Sequence, residues 1–118
     1  MRFVTQKIHA FLDYPVALSL IVMPFVLGLG ASHPLAKWIA VYTGVAALVL
    51  TVLTDHETGL IRVVPYSMHL AVDFLVGVVF VAAPLVLGFK GIDALYYWIN
   101  GAAVLLVVSL HKPGRASA

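Results

Sequence analysis

The amino-acid sequence predicts an all-α membrane protein whose four transmembrane helices form two tandem helical hairpins in a single domain, residues 1–118. Composition is the first observation behind this prediction. Hydrophobic residues make up 63% of the chain and charged residues only 10%, whereas a soluble domain carries about 25% charged residues. A chain this short could not bury so much apolar surface in a soluble core. The second observation is a repeat of the apolar segments along the chain.

Four apolar segments have about the 20 residues that a helix needs to cross a bilayer. They are residues 8–30, 34–54, 68–89 and 93–111. Thr5, Ser67 and Asp93 are predicted to cap the first, third and fourth helices, and Pro34 to occupy the first turn of the second. The first segment has a later counterpart, so we expect it to be a retained helix and not a cleaved signal peptide.

The internal repeat is the most specific pattern in the sequence. An offset of 60 aligns residues 9–28 with 69–88 and gives seven identities in twenty positions. These include His9 with His69 and Asp13 with Asp73, residue types that are uncommon in membrane helices. Further matches join Pro24 with Pro84 and Trp38 with Trp98 and, at an offset of 57, Gly44 with Gly101. The sequence therefore predicts repeat one at 8–54 and repeat two at 68–111, with a linker at 55–66 and a polar tail at 112–118.

The number of helices per repeat sets the predicted symmetry. Because each copy has two helices, both copies enter the membrane from the same side, and their pseudo-twofold axis lies along the membrane normal. The linker mixes charges with apolar side chains and ends at Pro65, which predicts a segment along the membrane surface.

The basic residues predict the orientation of the helices. Five lie on the side of the termini and the linker, namely Arg2, Lys7, Arg62, Lys112 and Arg115. Only Lys37 and Lys90 lie near the other side. By the positive-inside rule, both termini and the linker are expected to be cytoplasmic in an inner-membrane, multi-pass protein. An aromatic belt is predicted on the far face, formed by Trp38, Tyr42, Tyr97 and Trp98.

Two hexapeptides at equivalent positions of the repeats resemble a known family. They read Met23-Pro24-Phe25-Val26-Leu27-Gly28 and Ala83-Pro84-Leu85-Val86-Leu87-Gly88. The chain is similar over nearly its whole length to the SPW-repeat family of small bacterial membrane proteins, in which each copy has two transmembrane helices and a Ser-Pro-Trp triplet. Only the proline of that triplet is present here. The resemblance implies a topology and transfers no activity.

The ionisable residues indicate where a functional site would lie. His9 and Asp13 are one helical turn apart, as are His69 and Asp73, so each pair lies on one helix face. If both pairs face the bundle axis they converge at the cytoplasmic mouth. Such a site could bind a divalent metal ion, bind haem b through the two histidines, or relay protons. A second group near the same mouth comprises Asp55, His56, Glu57 and His111.

Other interpretations of the same residues stay open. The histidine and aspartate of each pair could simply hydrogen-bond to each other at the depth of the lipid head groups, without binding a ligand. The protein could also be a structural or accessory subunit of a membrane complex. A small oligomeric transporter or channel is a further alternative, although no charged residue is predicted in mid-membrane. Besides the lipid bilayer, the partners would then be further copies of the chain or a larger membrane complex. The chain has no nucleophile–base set, phosphate loop or nucleotide motif, so no enzymatic reaction is indicated, and no basic run for nucleic acid.

Prolines and small residues complete the predicted helix geometry. Pro24 and Pro84 are predicted in mid-helix, where each would cause a kink by freeing a carbonyl one turn earlier. Ala36, Ala40 and Gly44 recur at a spacing of four on the second helix. This stripe allows close helix packing, either within the bundle or between protomers.

Overall fold

A computed structural model describes residues 6–54, 59–61 and 63–110. Its helices are α1 (Gln6–Val26), α2 (Leu35–Leu53), α3 (Tyr66–Leu87) and α4 (Ile92–Ser109). Each of the four is long and apolar enough to cross a membrane, and about 20 residues at 1.5 Å per residue span the roughly 30 Å of hydrocarbon. The described part of the chain is therefore all-helical with four candidate membrane spans, which confirms that part of the predicted fold class.

Glycines end the first and third helices earlier than the hydropathy predicted. Gly28 has φ 66° and Gly88 has φ 74°, a left-handed conformation that glycine adopts without steric cost. Pro24 and Pro84 consequently lie in the last turn of α1 and α3, so the prediction that they lie in mid-helix is wrong. Their carbonyl groups help to close the helix ends, because Leu29 N donates to Pro24 O at 2.9 Å and Phe89 N donates to Pro84 O at 3.1 Å.

Two of the predicted helix caps are also wrong. The residue before α3 is Pro65, and Ser67 lies inside the helix. The residue before α4 is Gly91, and Asp93 lies inside the helix. Pro34 stands directly before α2 as expected, whereas Thr5 lies outside the described residues.

The described part of the linker folds back over the end of α2. The amides of Leu60 and Ile61 donate to Val52 O at 2.9 and 3.0 Å, and the amides of Val63 and Val64 donate to Leu53 O at 2.9 and 2.8 Å. These bonds satisfy carbonyl groups that a helix end otherwise leaves without partners.

The helices pack as two hairpins, α1 against α2 and α3 against α4. Gly44 is a point of close approach in the first hairpin, since a Cβ atom there would lie 2.8 Å from Ala17 O. Gly101 has the same role in the second, where a Cβ would lie 3.0 Å from Phe80 Cβ and 3.1 Å from Gly77 O. Ala36 and Ala40 are fully buried. The small-residue stripe therefore serves packing within the bundle.

Polar contacts join the two hairpins at the end where α1 and α3 finish. The carboxylate of Asp93 accepts hydrogen bonds from Gly30 N at 2.9 Å, Ser32 N at 3.0 Å and Ser32 Oγ at 2.5 Å. These donors belong to the α1–α2 loop, so the side chain of Asp93 joins this loop to α4.

The aromatic residues of the predicted belt occupy two different environments. Trp38, Trp98 and Tyr42 are exposed by 43%, 41% and 70%, as a lipid-facing belt requires. Tyr97 is fully buried, stacks on Phe80 at 4.5 Å between ring centroids and donates a 2.8 Å hydrogen bond to Ala36 O. The prediction that Tyr97 belongs to the belt is wrong, because contacts with both hairpins bury its ring.

Candidate functional site

The first two turns of α1 and of α3 bring two histidines and two aspartates into one cluster, which we call the His/Asp cluster. His9 and Asp13 come from α1, and His69 and Asp73 come from α3. One donor atom from each residue can be chosen so that all four lie within 4.8 Å of one another. A spacing of four residues places each pair on one helix face, and the packing of the hairpins turns both faces toward each other.

The contacts inside the cluster cross between the helices. His9 Nε2 lies 2.8 Å from Asp73 Oδ2 and 3.2 Å from Asp13 Oδ1. His69 Nε2 lies 3.4 Å from Asp13 Oδ2 and 3.3 Å from Asp73 Oδ2. The shortest contact thus joins the two helices, and each histidine also contacts the aspartate of its own helix, as the spacing of four residues predicted. Each imidazole faces both carboxylates.

Burial makes this arrangement energetically demanding. His9 and His69 are exposed by only 3% and 2%, and the side chains of Asp13 and Asp73 by 10% and 21%. An ionised carboxylate removed from water is strongly unfavourable unless a positive charge or hydrogen-bond donors compensate it. Two carboxylates this close therefore call for a cationic group between them.

Thr54 determines which nitrogen of His69 carries a proton. The Thr54 hydroxyl donates to Leu50 O at 2.5 Å and lies 2.7 Å from His69 Nδ1. A hydroxyl has one proton, and a carbonyl oxygen can only accept. Thr54 Oγ1 must therefore accept its second bond from a protonated Nδ1, which leaves Nε2 directed at the carboxylates. A lone pair at Nε2 would be repelled by these oxygens, so this position favours either a second proton or a metal ion.

Tyr66 completes the wall of the cluster. Its ring is 3% exposed, meets the His9 ring edge-to-face at 5.9 Å and lies 6.2 Å from the His69 ring, centroid to centroid. The sequence analysis named neither Tyr66 nor Thr54. Tyr66 precedes His69 by three residues, a spacing that could have placed it on the same helix face, whereas Thr54 lies at the end of a different helix and gave no such signal.

The remaining residues with predicted roles lie elsewhere. Asp55, His56, Glu57 and His111 are outside the described residues. His33 is in the loop at the other end of α1, where its Nδ1 accepts a 3.1 Å hydrogen bond from Leu35 N. His33 thus helps to begin α2.

Four apolar helices and a buried His/Asp cluster between the first and third define a small, multi-pass membrane protein with a polar centre near one end. The chain belongs to the SPW repeat domain family, whose model matches residues 7–111, and the resemblance noted from the two hexapeptides is thereby confirmed. No curated protein and no solved structure matches the chain.

Proposed function

We propose that this protein binds a divalent transition-metal ion at the inner membrane, with His9, Asp13, His69 and Asp73 as the ligands. The observation that carries the proposal is the Thr54–His69 hydrogen bond, at 2.7 Å. It directs His69 Nε2 at two buried carboxylates, as second-shell hydrogen bonds orient histidine ligands at metal sites.

The donor atoms lie close enough together to converge on one ion. One donor atom from each of the four residues lies within 4.8 Å of the others. With metal–ligand bonds of about 2.0–2.1 Å, neighbouring ligand atoms of a tetrahedral site lie roughly 3.3 Å apart, so a bound ion would draw these side chains closer together. Two aspartates also balance the charge of a divalent ion in a site with little access to water.

The chemistry of the donors favours particular ions. Imidazole nitrogen suits zinc, iron and other first-row transition metals, whereas magnesium and calcium prefer sites built of oxygen alone. The contacts support an ion over haem b, because a porphyrin between His9 and His69 would have to displace carboxylates that lie 2.8–3.4 Å from their Nε2 atoms.

A duplicated architecture is part of the proposal. The first residues of α1 and α3, Gln6 and Tyr66, are 60 positions apart, and those of α2 and α4, Leu35 and Ile92, are 57 apart. Together with the paired glycine contacts, these offsets support two repeats (8–54 and 68–111) around a pseudo-twofold axis along the membrane normal. The His/Asp cluster would lie on this axis at the cytoplasmic side, beside the linker and the tail.

A proton is the second candidate occupant of the cluster. The same Thr54 contact leaves His69 Nε2 facing Asp13 and Asp73, a position that a shared proton can occupy in place of a metal ion. In that case the cluster stores or relays a proton. An accessory subunit or an oligomeric transporter requires no bound ion, so one experiment separates these functions from the metal site.

That experiment is a cobalt titration of the purified protein. Co²⁺ in a tetrahedral site has intense visible absorption bands, and we expect them to saturate at one ion per chain. His9→Gln, His69→Gln and Asp13→Asn should each abolish the bands, because each removes a ligand. His33→Gln is the matched control and should leave them unchanged. A wild-type protein that binds no Co²⁺, Zn²⁺ or Fe²⁺ would leave the proton as the occupant.

A further inference from the structure

A narrow cavity of about 130 Å³ lies between α1, α3 and α4 and reaches the His/Asp cluster. We call it the slot. His9, Asp13 and Asp73 form its polar end, and Asn100 is the polar side chain farthest from them along the helices. The walls between are apolar and consist mainly of valine and leucine side chains.

The shape of the slot follows the helices. Its lining on α1 extends from His9 to Leu20, a separation of eleven residues, or about 16 Å along the axis. A cavity of this length and volume is narrow, so it matches a single chain or a small ring. For comparison, a cavity of about 150 Å³ with apolar walls holds one benzene molecule.

The slot opens within the membrane-spanning part of the bundle. Ala103 on α4 lines it and is itself exposed, and it lies in the middle of the candidate span Ile92–Ser109. The molecules that reach this opening are therefore those dissolved in the bilayer.

Charge decides the kind of head group that fits the polar end. Asp13 and Asp73 already balance a divalent ion, so an additional anion would place uncompensated charge in a site with little water. A neutral oxygen or nitrogen donor adds no charge, and zinc-type sites that keep three protein ligands bind such a donor in the fourth position or expand to five-coordinate. We infer that the slot binds a neutral, single-chain amphiphile from the bilayer, whose tail lies against α1 and α4 and whose head-group donor atom reaches the bound ion.

This inference rests on the proposed metal site, and its test uses the cobalt-loaded protein. The probe is 1-butylimidazole, a neutral nitrogen donor with an apolar tail, and 1-methylimidazole is the same donor without the tail. In the wild type we expect 1-butylimidazole to weaken and shift the tetrahedral Co²⁺ bands. Ala103→Phe fills the slot and should raise the apparent Kd of 1-butylimidazole about tenfold, which equals about 1.4 kcal/mol, while binding of 1-methylimidazole stays the same.

Ala102→Phe is the matched control. Ala102 neighbours Ala103 and is likewise exposed, and it is not part of the slot lining, so this variant should bind both probes as the wild type does. Partition of the probes into detergent is equal for both variants and cancels in the comparison. If Ala103→Phe fails to load Co²⁺, Ala103→Leu takes its place.

The outcomes separate the two proposals. Absence of Co²⁺ bands from the wild type overturns the metal site and the slot together. Normal Co²⁺ bands that do not respond to 1-butylimidazole overturn the slot alone. The same conclusion follows if Ala102→Phe and Ala103→Phe weaken binding equally, or if Ala103→Phe weakens both probes alike.

Discussion

Thr54 shows how a single hydroxyl outside the cluster sets the chemistry within it. Its proton is committed to Leu50 O, so its oxygen can only accept from His69 Nδ1. The imidazole is thereby held in one orientation, with Nε2 toward Asp13 and Asp73. Residues in this position affect metal affinity without contacting the metal.

Thr54→Val tests this role, because valine keeps the shape of threonine and removes the hydroxyl. We expect the affinity for Co²⁺ to fall by about 10–100-fold, the usual effect of losing an outer-shell partner. Competition with a chelator of known affinity measures the change.

Thr51→Val is the control for the loss of a buried hydroxyl. Thr51 is on α2 and is 1% exposed, and it lies one turn before Thr54, the residue that follows the helix. An affinity that falls equally in both variants would show that the effect is general destabilisation and not orientation of His69.

At the scale of helices, one glycine in each hairpin allows its two helices to pack closely. Gly44 brings α2 onto α1, and Gly101 brings α4 onto α3. The hydrophobic effect does not drive helix association in lipid, so close backbone approach and van der Waals contact contribute much of the stability. Small residues at these two positions are therefore required by packing.

Gly44→Ala is expected to destabilise the protein by about 1–3 kcal/mol, the usual cost of overpacking. The added Cβ would lie 2.8 Å from Ala17 O and Ile21 Cγ1, so the helices must separate. Unfolding in mixed micelles with increasing denaturing detergent measures the change in free energy.

Ala46→Val is the control for Gly44→Ala, because Ala46 is on the same helix and exposed. We expect a change of less than about 0.5 kcal/mol, as for other substitutions away from packed sites. Equal stability of Gly44→Ala and the wild type would contradict the close contact between α1 and α2.

In the molecule as a whole, polar contacts tie the two hairpins together at both ends of α1. Near its start, His9 contacts Asp73. Beyond its end, the Gly30–Ser32 loop donates to Asp93. The slot lies on the bundle between these two connections. An ion in the cluster would therefore join the hairpins while facing a cavity that opens to lipid.

The orientation of the molecule in the membrane is tested with reporter fusions. We expect fusions after residue 60 and after residue 118 both to be cytoplasmic, because five basic residues lie on that side and two on the other. A fluorescent reporter that folds in the cytoplasm and a phosphatase that is active only outside it give opposite signals. A phosphatase-active fusion at either position would contradict the predicted orientation.

Hydropathy and residue spacing by themselves predicted much of the structure of this protein. The existence of four membrane-length helices and the shared helix face of each His–Asp pair follow from patterns that are local to each segment, whereas the family was indicated by the resemblance of the two hexapeptides and confirmed by the family model. The small-residue stripe predicted close helix packing for the same reason, although it left open whether the contact lies within the bundle. The predicted helix ends were less accurate. The apolar sequence continues past Gly28 and Gly88, whose left-handed conformations end the helices.

Only the tertiary structure decided which residues meet across the bundle. The crossed contact of His9 with Asp73 joins residues 64 positions apart, and it depends on how far each helix is rotated about its axis. The rotation of the helices about their axes likewise buries Tyr97, turns Asp93 toward the α1–α2 loop and brings Thr54 to His69. Apolar periodicity cannot fix this angle in a membrane helix, because lipid and protein interior are both apolar and either can receive the same side chains.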